Sequence, residues 1–291
     1  MTGGAHTSTV RVGVIGPGRA GTGLALAWVR AGHDVWLHGR RAKPVPIPLT
    51  LTTGAADAAP PWVDRVEVIV CAVPDDAVAP LARALSATGA VRADQVVLHL
   101  SGSLDHTALD SLHGSGAALG SLHPLQTLVE PERTPDHVRG AWAAVEGDPP
   151  AVEMAERLAR DIGLHPFRLR AEHKALYHAG AVFASNYFVV VEAVAQQLLE
   201  RAGLSREDAW AALAPLVRGT FDNLNRTGPE GALTGPVLRG DVDTLARHLR
   251  ALPDRERTLY RELGLAVLEL ARRRGLADDM VARLERTLAT G

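Results

Sequence analysis

The sequence predicts an α/β chain: a parallel-sheet domain followed by an all-helical one, with the boundary near residue 170. Three observations lead there. Over residues 1–170, short β-branched runs alternate with stretches of helical pattern, as repeated strand–helix units require. A glycine cluster follows directly on the first of those runs. Beyond Arg170 the strand patterns stop and helical periodicity takes over.

Taken in order, residues 10–15 form a β-branched run ending in glycine, and 21–31 an Ala-rich helix closed by Gly32. Residues 34–38 read as the second strand, after which Pro44, Pro46 and Pro48 forbid regular structure. Residues 50–52 make a short third strand. Residues 66–73, apolar except for Glu67, make a buried fourth, with a helix at 77–86. Strands at 95–100 and 118–122 complete the pattern. Runs at 141–145 and 165–169 extend the sheet, with a helix at 151–162 between them. In the second part, 172–201 reads as one long helix, followed by helices at 206–226, 242–252, 255–274 and 277–289. The Gly- and Pro-rich stretch 227–241 is an irregular loop.

Composition bounds the function. A chain of 291 residues suits two domains of ordinary size, and 46% hydrophobic with 22% charged residues is the composition of a globular enzyme. Lys plus Arg (31) nearly balance Asp plus Glu (33), so nothing draws the chain to nucleic acid or an anionic membrane. The single Cys71 excludes an intrachain disulfide framework and a Cys-based zinc site; it fits a reducing cytoplasm and a place in the apolar core. No metal site is expected. The longest apolar run, 175–191, is interrupted by His178, Ser185 and Asn186, so no membrane span is expected. Residues 1–9 lack the basic-then-apolar pattern of a secretion leader.

Gly16-Pro17-Gly18-Arg19-Ala20-Gly21 fits G-x-G-x-x-G between a strand and a helix, the context of a Rossmann-like dinucleotide site. Gly16 permits the tight turn, Gly18 lets the backbone approach a pyrophosphate, and Gly21 lets helix and strand pack closely. The helix N-terminus offers free N–H groups to the phosphates. NAD-binding chains place a carboxylate at the end of the second strand. Here that position gives Gly39-Arg40-Arg41, and two guanidiniums suit the 2′-phosphate of NADP.

Val68-Ile69-Val70-Cys71-Ala72-Val73-Pro74-Asp75-Asp76 resembles the fourth-strand motif of the 6-phosphogluconate dehydrogenase-like superfamily. That group includes pyrroline-5-carboxylate reductase, 3-hydroxyisobutyrate dehydrogenase and ketopantoate reductase. The resemblance implies that Ala72, Val73 and Pro74 line the ribose and nicotinamide. Further strings are similar to a family of NADP oxidoreductases that pair a Rossmann-like domain with a helical C-terminal domain of unknown function. They are His99-Leu100-Ser101-Gly102-Ser103, Leu122-His123-Pro124-Leu125-Gln126-Thr127, Ala175-Leu176-Tyr177-His178-Ala179, Leu233-Thr234-Gly235-Pro236 and Arg239-Gly240-Asp241. The resemblance covers nearly the whole chain and implies fold and cofactor better than substrate.

Ligands of open α/β sheets lie beyond the carboxyl ends of the strands. Ser101 and Gly102 are small enough there for a nicotinamide to approach, and Ser101 also faces the substrate side. His123 leaves the sixth strand as a proton donor, a carboxylate contact or a structural group. At about 100° per residue, Leu176, Gly180, Phe183, Tyr187, Val190, Val194 and Leu198 form one apolar stripe of the long helix. Lys174 and His178, spaced i and i+4, share the opposite face and can converge on one small molecule. The resembling dehydrogenases carry Lys-x-x-x-Asn, with Lys as proton donor. Lys174 matches and His178 departs, which leaves open which of the two is the acid. Lys must lose part of its pKa of ~10.4 to donate near neutrality, whereas His at ~6.5 need not.

Ser185 lies roughly 16 Å from Lys174 along a straight helix, too far to share one reaction centre. Asn186 serves either a distal substrate group or a helix contact. Thr234 and Arg239, in the loop, are candidates for an anionic substrate, with Arg239 equally able to pair with Asp241 or Asp243. The resulting expectation is an NADPH-dependent reductase of a small oxo acid, with 2-oxopantoate first. Cyclic imine reduction, hydride exchange with a deazaflavin and a non-catalytic NADP-sensing or scaffold protein are the alternatives. The apolar-striped helices predict a homodimer through the helical domain.

Overall fold

The computed structural model describes residues 8–55 and 57–290; the part of the leader expectation that rests on 1–7 lies outside them. The chain divides into two compact units, Met1–Asn186 and Tyr187–Gly291. The division falls past residue 170 because the first helix after the last strand packs its Lys174 into the sheet unit, as described below.

Eight strands form the sheet of the first unit: β1 (Arg11–Ile15), β2 (Asp34–Gly39), β3 (Leu51–Thr53), β4 (Val68–Cys71), β5 (Val96–His99), β6 (Ala118–Leu125), β7 (Trp142–Gly147) and β8 (His165–Arg168). Their order is β3-β2-β1-β4-β5-β6-β7-β8. Direction of travel across the sheet reverses between β1 and β4, and the crevice beyond the carboxyl ends of the strands opens at such a point. Helices α1 (Arg19–Arg30), α3 (Thr134–His137) and α4 (Pro149–Asp161) cover one face, and α2 (Asp75–Thr88) with a 3-10 helix over His106–Ser115 covers the other. Val68, Ile69, Val70 and Cys71 of β4 are fully buried, which explains their unbroken apolar run: a strand covered on both faces has no polar side. Burial pushes the Cys71 thiol up to about 12, so it is an inert core residue.

Several expectations are corrected. The sheet is mainly, not wholly, parallel: β7 runs antiparallel to β6, with Ser121 opposite Glu146 and His123 opposite Ala144. The connection 126–141 holds only a 3-10 turn and four-residue α3, with no crossover helix to carry the chain back across the sheet. The expected helix 172–201 is a composite of a 3-10 turn (Ala171–His173), α5 (Lys174–Val182), a π-helical turn (Phe183–Tyr187) and α6 (Phe188–Arg201). At its start the polar side faces the sheet and the apolar stripe is exposed. Leu176 is 76% and Phe183 68% exposed, whereas Lys174 is 1% exposed, because the polar start of the helix has hydrogen-bond partners on the sheet. By length and composition alone, 171–201 is long and apolar enough to cross a membrane.

The second unit contains α6, α7 (Arg206–Ala232), α8 (Val242–Ala251), α9 (Asp254–Arg273) and α10 (Asp278–Thr290). The expected loop begins later than 227. Helix α7 continues across a kink at Gly228, whose φ of 70° only glycine tolerates well, and Pro229 restarts the helix. Val237, Leu245, Leu268, Ala271, Leu284 and Leu288 form the core of this unit. Asp241 caps α8 by accepting hydrogen bonds from Thr244 N and Oγ1. Phe188, Val190, Leu216 and Phe221 are exposed.

Gly21 tests the packing of the first strand–helix unit. A Cβ there would lie 2.1 Å from the Gly16 carbonyl oxygen and 2.8 Å from Ala72 Cβ, neither able to move freely. Gly21→Ala is expected to cost about 1–3 kcal/mol in urea unfolding. Gly18→Ala, with nothing within 4 Å of the added carbon, should cost under about 1 kcal/mol.

Candidate functional site

The glycine turn closes over the end of β4. Gly16 has φ 111°, its N–H donates to His38 O at 2.9 Å, and a Cβ there would stand 2.2 Å from Ala72 O. Gly18 is the N-cap of α1, without a side-chain cap and without an acidic residue in the first turn. The first N–H groups of the helix therefore face open space at Gly18, the arrangement that receives a phosphate. Pro17 lies against Gly39, where a Cβ would meet its ring at 2.7 Å, so the glycine turn and the end of β2 are neighbours. Arg40 and Arg41 follow there and are exposed, as are Gly18 and Arg19; Ala20 is half-buried. No carboxylate stands at the end of β2. Ala72, Val73 and Pro74 follow directly on the end of β4, with Pro74 at the N-cap position of α2. These residues fit a dinucleotide with an added phosphate on its adenosine ribose.

Beside this cradle, the loop after β5 is fixed by its own side chains. His99 Nδ1 accepts from Ser101 N at 3.1 Å, which puts the ring proton on Nε2, and Nε2 donates to Asp105 O at 3.0 Å. Ser101 Oγ accepts from Ser103 N and Leu104 N, and Ser103 Oγ donates to Asp75 Oδ2 at 2.7 Å. The loop thus presents the Ser101 carbonyl in a set direction. Lys174 Nζ donates to it at 2.9 Å and to Ser121 Oγ, also at 2.9 Å. Ser121 Oγ in turn donates to Glu146 Oε2 at 3.0 Å. Glu146 is further held by His106, whose backbone N–H reaches both carboxylate oxygens and whose Nδ1 pairs with Oε1. Burial lowers Lys174 to about 8, opposed by the carboxylates of Glu146, Asp105 and Asp75. It is an amine poised to lose a proton near neutrality.

Above Gly102 two imidazoles meet. A Cβ on Gly102 would lie 2.5 Å from His178 Cδ2 and 2.8 Å from His123 Nε2, so glycine is the residue that fits. His123 Nδ1 is 2.8 Å from the Tyr177 hydroxyl, and the His123 and His178 rings stand edge to face at 5.9 Å. Burial, then the charges of Lys174 and His178, lower His123 to about 4, so its ring is neutral at pH 7. Burial pushes Tyr177 up to about 12. Tyr177 as donor leaves the His123 ring proton on Nε2, facing Gly102; Tyr177 as acceptor leaves Nε2 there as an acceptor.

The structure therefore brings together Lys174, His178, His123, Ser101 and Gly102, all within the first unit. Asn186 is exposed in the π-helical turn, and Thr234 and Arg239 are exposed in the loop of the second unit. Sequence reasoning missed Ser121, Glu146, Tyr177, His99 and His106. Two signals were present: Ser121 precedes His123 by two positions and so shares its strand face, and Glu146 is a lone carboxylate ending an apolar strand. Among the described residues, no group of three or more His, Cys, Asp and Glu is arranged to hold a metal ion.

Comparison with known proteins agrees with this architecture. Residues 1–124 match the Rossmann-like domain family, and residues 141–267 match the family described as a domain of unknown function, DUF2520. Among curated proteins none matches significantly. Of solved structures, the Bacteroides fragilis protein BF3122, provisionally described as an NADP oxidoreductase, is similar with a TM-score of 0.69 at 22% identity, over 84% of this chain and 92% of that one. Protein TM1727 of Thermotoga maritima is similar with a TM-score of 0.63 at 21% identity, over 96% and 98%. The Plasmodium falciparum pyrroline carboxylate reductase, solved with NADP bound, gives a TM-score of 0.58 at 15% identity, over 96% and 97%.

Titration by imidazole NMR checks the electrostatics. His99 and His123 should both protonate near pH 4, and His106, paired with Glu146, above its ordinary value. Because the unfolded chain takes up these protons near ~6.5, His99 and His123 should make stability fall as pH drops from ~6.5 towards 4.

Proposed function

We propose that the chain is an NADPH-dependent oxidoreductase that reduces a small oxo acid or a related imine. The observation that carries this reading is Lys174: a buried amine, lowered to about 8, hydrogen-bonded to the loop beyond β5 and close to the neutral His123. In this reading the first N–H groups of α1 bind the pyrophosphate, Arg40 and Arg41 grip the 2′-phosphate, and Ala72, Val73 and Pro74 line the ribose. Ser101 and Gly102 leave room for the nicotinamide. The bound cofactor supplies hydride chemistry. Lys174 donates the balancing proton to the substrate oxygen or nitrogen, and, with Tyr177 donating to Nδ1, His123 Nε2–H orients that atom. His178 closes the opposite wall, and its edge contact with His123 limits the ring's rotation.

Among oxo acids, 2-oxopantoate is the first candidate. A cyclic imine is the second, supported by the full-length fold likeness to a pyrroline carboxylate reductase. Either substrate needs one proton on the atom beside the carbon that is reduced, and the same amine serves both. A cytoplasmic setting fits the buried, unpaired Cys71.

Calorimetry tests the cofactor: NADPH should bind more tightly than NADH, and Arg40→Ala with Arg41→Ala should weaken NADPH by about tenfold per lost charge-assisted contact. Preference for NADH would overturn it. Following NADPH oxidation with 2-oxopantoate and with 1-pyrroline-5-carboxylate tests the substrate class. Lys174→Ala should lower kcat by about 10²–10⁴-fold while leaving NADPH affinity unchanged. The wild-type rate should fall as pH rises through about 8, since only the protonated amine can donate. NADPH binding without turnover of either compound would favour the sensing or scaffold alternative.

A further inference from the structure

Lys174 has a supply problem. It is 1% exposed, so solvent has almost no direct access to the amine. One hydrogen-bonded line does lead outward. From Nζ it passes to Ser121 Oγ at 2.9 Å, to Glu146 Oε2 at 3.0 Å and, through Oε1, to His106 Nδ1. Ser121 is fully buried and Glu146 is 4% exposed, whereas the His106 side chain is 30% exposed. The four residues come from α5, β6, β7 and the 3-10 helix, so the line is made by the fold and by no local motif.

We propose that His106, Glu146 and Ser121 form a proton-delivery path that recharges the Lys174 amine from solvent, with Glu146 and Ser121 as positioning residues. The proposal rests on the reading of Lys174 as proton donor. After Lys174 has given a proton away, Nζ is a neutral amine with a free lone pair. The Ser121 hydroxyl, which donates to Glu146 while Nζ is charged, turns its proton to the free lone pair and gives it to Nζ while Oγ takes one from the Glu146 carboxyl group. Glu146 has received that proton from His106 Nδ1 and turns about Cγ–Cδ to present it. His106 Nδ1 regains a proton from solvent when its exposed ring swings outward. One N–H bond is lost at His106 and one is formed at Lys174; no electrons change hands.

The groups around the path suit this direction of transfer. His106 faces Glu146, Asp148 and Asp105, whose negative charge keeps it ready to hold a proton. Lys174 faces Glu146, Asp105 and Asp75, together with the imidazoles of His99 and His123, both held neutral near pH 7. Those two rings are poor competitors for a proton in transit.

Proton exchange at Lys174 tests the path without cofactor or substrate. With ¹⁵N-labelled lysine at a pH below the Lys174 titration, solvent exchange of its ammonium protons is measured by NMR in wild type, His106→Ala, Ser121→Ala and Glu146→Gln. Each variant should slow exchange by about tenfold, leaving only local opening. Added imidazole should restore the rate in His106→Ala and not in Ser121→Ala. Glu146→Gln keeps the side-chain shape, so it separates loss of transfer from loss of fold. Unchanged exchange in the folded variants overturns the path, as does a His106→Ala defect that imidazole leaves in place. Turnover separates the two readings. If NADPH oxidation is absent while exchange responds as expected, the path stands and the reductase reading fails. If oxidation is present and exchange is insensitive, the path alone fails.

Discussion

The buried ammonium of Lys174 is the constraint around which the first unit is arranged. A charge taken out of water is tolerated only where its protons meet acceptors, and here two acceptors are provided, the Ser101 carbonyl and the Ser121 hydroxyl. Each needs its own support. The carbonyl depends on a loop tied by His99 and by the Ser101 and Ser103 hydroxyls, and the hydroxyl depends on Glu146 and the antiparallel strand that carries it. The orientation of α5 follows from the same contact: its polar beginning goes inward and its apolar residues are left outside.

The sheet was legible in the sequence because fully buried strands have a simple signature. The run 68–73 is apolar without alternation, and its strand part, Val68–Cys71, has both faces covered. The glycine turn was equally legible, since Gly16 and Gly21 have atoms where a side chain would go, and sequence shows that requirement as glycine. The 3-10 helix over His106–Ser115 was not foreseen, for it has no long apolar period and is shaped by Asp105 accepting from Thr107 and by the Glu146 contact.

The site was half legible. Lys174, His178 and His123 stood out as polar groups at strand or helix beginnings and ends, and the structure brings them together with Gly102. Their environment could not be read, because burial is a property of the whole sheet. The helical period put Lys174 and His178 opposite the apolar stripe, and it could not show that this polar side is the one turned into the sheet. Ser121 and Glu146 are 25 positions apart in sequence and meet only through strand register.

That register has a consequence for how the protein tolerates change. In a ladder, side chains alternate faces at every step, so sliding β7 by a single position against β6 would turn Glu146 towards the α1 and α4 layer and leave Ser121 facing an apolar neighbour. Lengthening the 126–141 excursion leaves this alignment intact, whereas inserting one residue within 142–147 removes the carboxylate from beneath the lysine. Variation in this chain is therefore cheap on the rim of the sheet and costly along six consecutive positions of one inner strand.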